Sequence, residues 1–415
     1  MRRRVAITGV GLVSCLGHDY EPVVKALREG RSGIRAVPEW EGKGLKSLVA
    51  GMIDDLDEKK DAAKLSKKLT PAMSDSALYC SLAARDAIAD SGLGPEDLHS
   101  EDTGCIVGSG VGSVDSVKKA ADLYYAGRIR RADPYTVLRC MASSSSAAVA
   151  NLFKIKGRSY SLSSACATSA HNIGHAFELI RAGVLDRAIS GGGEDTAELI
   201  SAAFQGLRLA LSTRYNDTPT KASRPFDAHR DGFVISGGGG IVVLEDMDQA
   251  LARGARIRAE IIGYAANSDG FDLVLPEPEG AQAGACMQAA VRDAGIEASE
   301  IDYVNTHGTS TIHGDVAEVK GIRSTFEGRV PPFSSTKSMT GHGIGAAGAL
   351  ELIFCIGMLE QGFIAPSINV ETPDPAVEGL PVVTETREQE LTTVLSNNFG
   401  FGGTNASMVI RRFDG

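Results

Sequence analysis

Glycine placement constrains this chain more than any other feature. Its 48 glycines gather where short apolar runs end. Gly108-Ser109-Gly110-Val111-Gly112 follows Cys105-Ile106-Val107, and further clusters stand at Gly191-Gly192-Gly193, Gly237–Gly240, Gly341-His342-Gly343 and Gly400-Phe401-Gly402-Gly403. Apolar run, glycine turn and helix-like segment, repeated, describe an α/β protein whose strand-to-helix turns line a site. Helical periodicity predicts helices over Ser76–Ser91, Gly284–Gly295 and Gly345–Gln361. No linker or charge run divides the chain. A looser symmetry does: each half offers a strand, a small-residue turn with a reactive side chain (Cys166, then His342) and a helix. A boundary near residue 250 gives units 1–250 and 251–415, the second opening on the strand-like Ile257–Tyr264.

At 43% hydrophobic and 23% charged residues, the composition is that of a soluble protein with ample core. A net charge of −10 argues against nucleic acid, so an acidic partner needs a local basic patch. Seven cysteines without a C-x-x-C pair point away from a disulfide framework or a zinc site and suit a reducing cytosol. Arg2-Arg3-Arg4 before Val5–Val13 mimics a signal peptide, but Thr8, Gly9 and Gly11 interrupt the run, and a buried first strand with a glycine turn fits better. No other stretch of about 18 apolar residues is read, so no membrane span is predicted and a cytoplasmic location is expected.

Cys166 lies in Ser163-Ser164-Ala165-Cys166-Ala167-Thr168-Ser169, after the alternating Arg158–Leu162 and before residues with helical spacing, Ala170, Ile173, Ala176, Phe177 and Ile180. A thiol at a helix start feels the positive end of the dipole, so a lowered pKa is expected there. Packing as a small hydrophobe is the ordinary fate of a cysteine. Two histidine motifs argue otherwise: Val304-Asn305-Thr306-His307-Gly308-Thr309-Ser310-Thr311, and Ser334–Gly345 with Lys337 and His342. Asn397–Asn405 adds a glycine-rich loop able to offer a backbone N–H to an oxyanion.

These four motifs, in this order, resemble the β-ketoacyl-acyl-carrier-protein synthase family, and within it the FabB-type synthase I, over essentially the whole chain. Gly30–Ile34, Leu211–Asp217 and Phe226–Phe233 share the likeness. The resemblance implies a thiolase-like α/β fold: two similar halves, layered α-β-α-β-α, in a homodimer. It implies a decarboxylating Claisen condensation of malonyl-carrier protein with an acyl group held on Cys166. His307 and His342 would donate to the enolate oxygen, and the amides of Cys166 and Phe401 would hold the tetrahedral oxyanion. Lys337 and Glu318 match a Lys–Glu pair behind the histidines, with a structural ion pair as the alternative. Thr309 and Thr311 would bond the phosphopantetheine arm. Phe399 and Phe401 would gate the site, with Gly402 among the glycines freeing the backbone; for Phe399, core packing is the alternative. No metal or diffusible cofactor is implied. Lys67, Lys68, Arg128, Arg130 and Arg131 are the candidates for docking the acidic carrier.

Departures limit the likeness. Val111 stands near the expected acyl pocket where the FabB type has glycine, and Pro71 where it has a further arginine. Thr196–Ala210 and Ser143–Ser146 also differ, beside the pocket or the dimer contact. A dedicated polyketide or aryl-polyene ketosynthase would keep all these residues; a silent chain-length subunit would lack the nucleophile. A nucleotide-binding oxidoreductase is suggested by Gly9-Val10-Gly11, but Ser14 replaces the third glycine. A His307–His313 metal pair lacks the i, i+4 spacing.

Overall fold

The computed structural model describes residues 2–63, 65–207 and 210–415. Ten strands form its main sheet: β1 (Val5–Val13), β2 (Thr103–Gly108), β3 (Ser159–Tyr160), β4 (Arg187–Glu194), β5 (Gly238–Asp246), β6 (Ala259–Ser268), β7 (Tyr303–Asn305), β8 (Phe333–Ser334), β9 (Thr393–Gly400) and β10 (Thr404–Arg411). Their order is β8-β7-β9-β10-β6-β1-β5-β4-β2-β3. The first five strands and the last five repeat one pattern. In each set the second strand is parallel to the third and the fourth, the fourth is antiparallel to the fifth, and the fifth is antiparallel to the first. The sets join where β1 pairs antiparallel with β6, Val5 opposite Ile261. The repeat divides between Asp246 and Ala259.

Seven helices matter for the site: α1 (Asp75–Ser91), α2 (Val114–Tyr125), α3 (Thr168–Arg181), α4 (Glu198–Gln205), α5 (Ala281–Ala294), α6 (Ile312–Thr325) and α7 (Ala347–Gln361). α1, α5 and α7 match the predicted helices within a turn. α3 and α7 pack on each other in the middle layer, and both feed the largest core cluster, with Ile173, Phe177, Leu352 and Ile353 against Val10, Leu12, Val242 and Met408. α7 is buried on every side from Ala347 to Leu359, which is why its sequence shows no polar face.

Three expectations are corrected. Ile344–Gln361 does reach the hydropathy and length of a span, with a mean of 1.4 over 18 residues, but 89% of it is buried inside the protein. Gly9 and Gly11 mark no turn; they lie within β1, where a Cβ would collide with the Ala87 and Ala83 carbonyl oxygens of α1. The strand before Cys166 shrinks to Ser159–Tyr160. Beyond it the Ser161 hydroxyl bonds the Val107 carbonyl, and the Leu162 N–H is taken by Asn172.

Candidate active site

Each half places a helical turn between its third strand and a middle-layer helix. In the first half Ala165–Ala167 forms a 3₁₀ turn that leads into α3. In the second, Ile344–Ala346 leads into α7 in the same way. Ala165 and Ile344 open these turns with φ of 50° and 46°, a left-handed conformation that side chains adopt only when packing holds them there. Ser164 braces the first turn from its own end: its hydroxyl and the His171 Nδ1 are 2.6 Å apart.

Cys166, His307 and His342 line one cavity of about 230 Å³. The other walls include Phe204, Leu207, Ala210, Phe233, Thr309, Thr311, Phe399 and Phe401. Backbone N–H groups of Phe401 and of Cys166 itself favour the thiolate form of Cys166, and both residues line the cavity. The resting thiol differs from expectation. Burial pushes its pKa up to about 12; Lys337 and the two N–H groups pull it down, and Glu194 adds to the rise. With Cys166 only 6% exposed, desolvation outweighs the helix start.

The two histidine rings stand edge to face, centroids 5.2 Å apart. His342 also meets Phe233 at 5.4 Å, and His307 meets Phe399 at 5.9 Å. His342 is seated through its backbone: its N–H donates to the Val234 carbonyl at 2.7 Å, and its carbonyl accepts from Ser236 at 3.0 Å. Burial first, then the Lys337 charge, holds both imidazoles well below their ordinary pKa, so both are neutral. Neither Nδ1 has a protein partner. An orphaned acceptor is tolerated better than an orphaned N–H, which favours the tautomer carrying its proton on Nε2.

The expected Lys337–Glu318 pair is not formed. Lys337 Nζ lies 2.5 Å from Glu351 of α7, both side chains almost fully buried. Glu318 instead takes the backbone N–H groups of His307 at 2.8 Å and Gly308 at 2.7 Å, and the Asn397 amide at 3.1 Å. It seats the His307 turn; burial raises its pKa to about 7. Sequence reasoning passed over Glu351, although it is the one charge in the apolar run Ile344–Leu359. A lone carboxylate there requires a buried cation, and that was the available signal.

Other expectations divide. Thr309 and Thr311 sit on the cavity wall with hydroxyls 3.1 Å apart. Phe401 packs on Phe204 at 6.0 Å, while Gly402 lies outside the lining, at φ 83°, its N–H bonded to the Leu273 carbonyl. Val111 does not line the cavity: the residue is 43% exposed, and its N–H is engaged by Glu194. Ser144–Ser146 do not line it either; they are buried, with the Ser144 and Ser74 hydroxyls 3.2 Å apart. Within Thr196–Ala210, Phe204, Leu207 and Ala210 do reach the wall, while Arg208 and Leu209 lie outside the described residues. Lys67, Lys68, Arg128, Arg130 and Arg131 are all exposed.

Comparison with known proteins gives the family. Residues 2–250 match the model of the β-ketoacyl synthase N-terminal domain, and residues 258–371 match that of its C-terminal domain. The chain is 48% identical over 415 residues to 3-oxoacyl-[acyl-carrier-protein] synthase 1 of Haemophilus influenzae, covering 100% of both chains. It is 50% identical over 413 residues to the protein of that name in Escherichia coli strain K12, covering 99% of each. A solved β-ketoacyl synthase from Burkholderia phymatum superposes with a TM-score of 0.93 at 37% identity over the full length of both. The chain belongs to the β-ketoacyl synthase family and has its thiolase-like fold.

Proposed function

We propose that this protein is a β-ketoacyl-acyl-carrier-protein synthase of the synthase I type, lengthening fatty acyl chains by two carbons. One observation carries the reading: a cysteine whose thiolate form is favoured by two backbone N–H groups shares one cavity with two neutral histidines. The Cys166 sulfur adds to the carrier-bound thioester, the new C–S bond forms, and the carrier's phosphopantetheine thiol leaves with the proton. Malonyl-carrier then loses carbon dioxide. The electron pair of the broken C–C bond becomes an enolate, whose oxygen accepts from Nε2–H of His307 and His342. The enolate carbon attacks the Cys166 thioester, the amides of Cys166 and Phe401 hold the oxyanion, and Cys166 leaves as thiolate and is reprotonated. Losing one such donor costs about 10²–10³ in rate.

The substrate arrives on the phosphopantetheine of an acyl-carrier protein, with Thr309 and Thr311 along its path, and no step calls for a resident metal or cofactor. The names of the curated relatives include that carrier. A cytoplasmic homodimer completes the proposal. The dimer is supported by exposed Val117, Tyr124, Tyr125, Ile129, Val137 and Leu138, an apolar surface around α2 that a lone chain would leave wet. Intact-protein mass after mixing with acyl-carrier proteins of graded chain length tests the reading, beside Cys166→Ala. A single acyl adduct on the wild type, absent from the variant, is expected. No adduct with any chain would overturn it.

A further inference from the structure

Glu194 ends β4 fully buried and takes part in no step above. Its carboxylate gathers four donors from two distant segments. Oε1 accepts from the Ser109 hydroxyl at 2.7 Å and the Val111 N–H at 3.3 Å. Oε2 accepts from the Gly110 N–H at 2.8 Å and the Gly345 N–H at 3.1 Å. Ser109, Gly110 and Val111 form the turn after β2; Gly345 belongs to the turn between His342 and α7. The junction has no slack. A Cβ at Gly110 would lie 2.7 Å from Glu194 Oε2 and 3.2 Å from the Ala165 carbonyl, and one at Gly345 would lie 2.5 Å from the Gly110 nitrogen. One carboxylate therefore sits where the Cys166 turn, the Gly110 turn and the His342 turn meet. Every partner donates, which a carboxylate satisfies and an amide of the same shape does not.

We propose that Glu194 is a positioning residue for condensation: its carboxylate ties the Gly110 turn, against which the Ala165 carbonyl of the Cys166 turn packs, to the His342 turn, so that acyl thioester and enolate carbon meet in register. This rests on assigning acylation to Cys166 and decarboxylation to the two histidines. Loading an acyl group uses one side of the junction, and carbon dioxide release uses the other. Only carbon–carbon bond formation needs both sides aligned, and a misplacement of about 1 Å costs on the order of 10²-fold there.

The test compares wild type, Glu194→Gln and the milder Ser109→Ala, each checked for folding by circular dichroism. Three rates are read: acyl loading of Cys166 by intact mass, carbon dioxide release from malonyl-carrier without a primer, and condensation product. In Glu194→Gln, condensation is expected to fall about tenfold further than either half-reaction. Ser109→Ala should show the same imbalance, smaller, and decides the matter alone should Glu194→Gln not fold. Three rates falling in common proportion, or none falling, would overturn the proposal. Wild type that takes no acyl group on Cys166 would instead remove the site assignment, and this inference with it.

Discussion

Lys337 and Glu351 set the electrostatics of the cavity. The Lys337 charge opposes protonation of both histidines and favours the Cys166 thiolate, while Glu351 lets that charge stay buried. Breaking such a pair from one side costs about 3–5 kcal/mol, because the remaining charge has no partner. Lys337→Met should lose that much in urea unfolding. Lys337→Met with Glu351→Leu should recover most of it, and a double variant no more stable than the single would show that the pair is not the cause. The Cys166 thiol gives a second expectation. Below its pKa of about 12 the thiolate fraction grows with pH, so alkylation of Cys166 by iodoacetamide should rise about tenfold per pH unit between 7 and 10. A plateau near pH 7 would contradict the buried, protonated resting state. The place of Cys166 at a turn ahead of a helix was legible in the sequence because motif and helix periodicity are local; its ionisation was not, since burial is set by residues far along the chain such as Phe204 and Phe401.

Elements were legible where their signal is local. α1 and α5 declare themselves by spacing, α7 by a long apolar run that ends at Gly362, and the site turns by their glycines. Gly9 and Gly11 show where this fails: the same residue type that allows a turn also allows close approach of two backbones, and only the packing of α1 on β1 separates these uses. The partner of Lys337 was misassigned for a related reason. Glu318 and Glu351 are both buried acids on helices beside the site, and which one reaches Nζ depends on how α6 and α7 are set against the Lys337 turn. Gly11→Ala tests the close-approach reading. Its Cβ would have to displace the Ala83 carbonyl of α1, and overpacking of this kind typically costs about 1–3 kcal/mol. A fall of that size in urea unfolding is expected; an unchanged midpoint would mean that α1 is not seated on β1 as described.

At the scale of the whole molecule, one strand order occurs twice, and that repetition places Cys166 within, and His342 just ahead of, matching turns that lead into the paired helices α3 and α7. Little of this is readable from sequence, since strand neighbours such as β1 and β5 lie more than two hundred residues apart. The outer surface gives two further expectations. Tyr125 is 85% and Val137 71% exposed, so if that face is the dimer contact, Tyr125→Glu with Val137→Lys should convert dimer to monomer in light scattering. An unchanged dimer mass would place the contact elsewhere. Carrier docking makes a separate demand on charge. Lys67 and Lys68 stand just before the turn Thr70–Ala72, which meets the helix Thr136–Cys140 through Arg139 and the Pro71 carbonyl, whereas Arg128, Arg130 and Arg131 belong to a separate turn, Ile129–Arg131, ahead of that helix. The chain is acidic overall, with a net charge of −10, so an acidic carrier needs a local basic patch to dock on. Two rim charge contacts at up to about 1 kcal/mol each correspond to roughly 5- to 30-fold in affinity. Lys67→Glu with Lys68→Glu should therefore raise KM for carrier-bound acyl groups by about that factor, leave kcat nearly unchanged and flatten the dependence of KM on salt. The same variant should act normally on acyl thioesters of free pantetheine, which need no docking surface. Equal losses on both substrates would mean that these lysines support the fold near the cavity and do not receive the carrier.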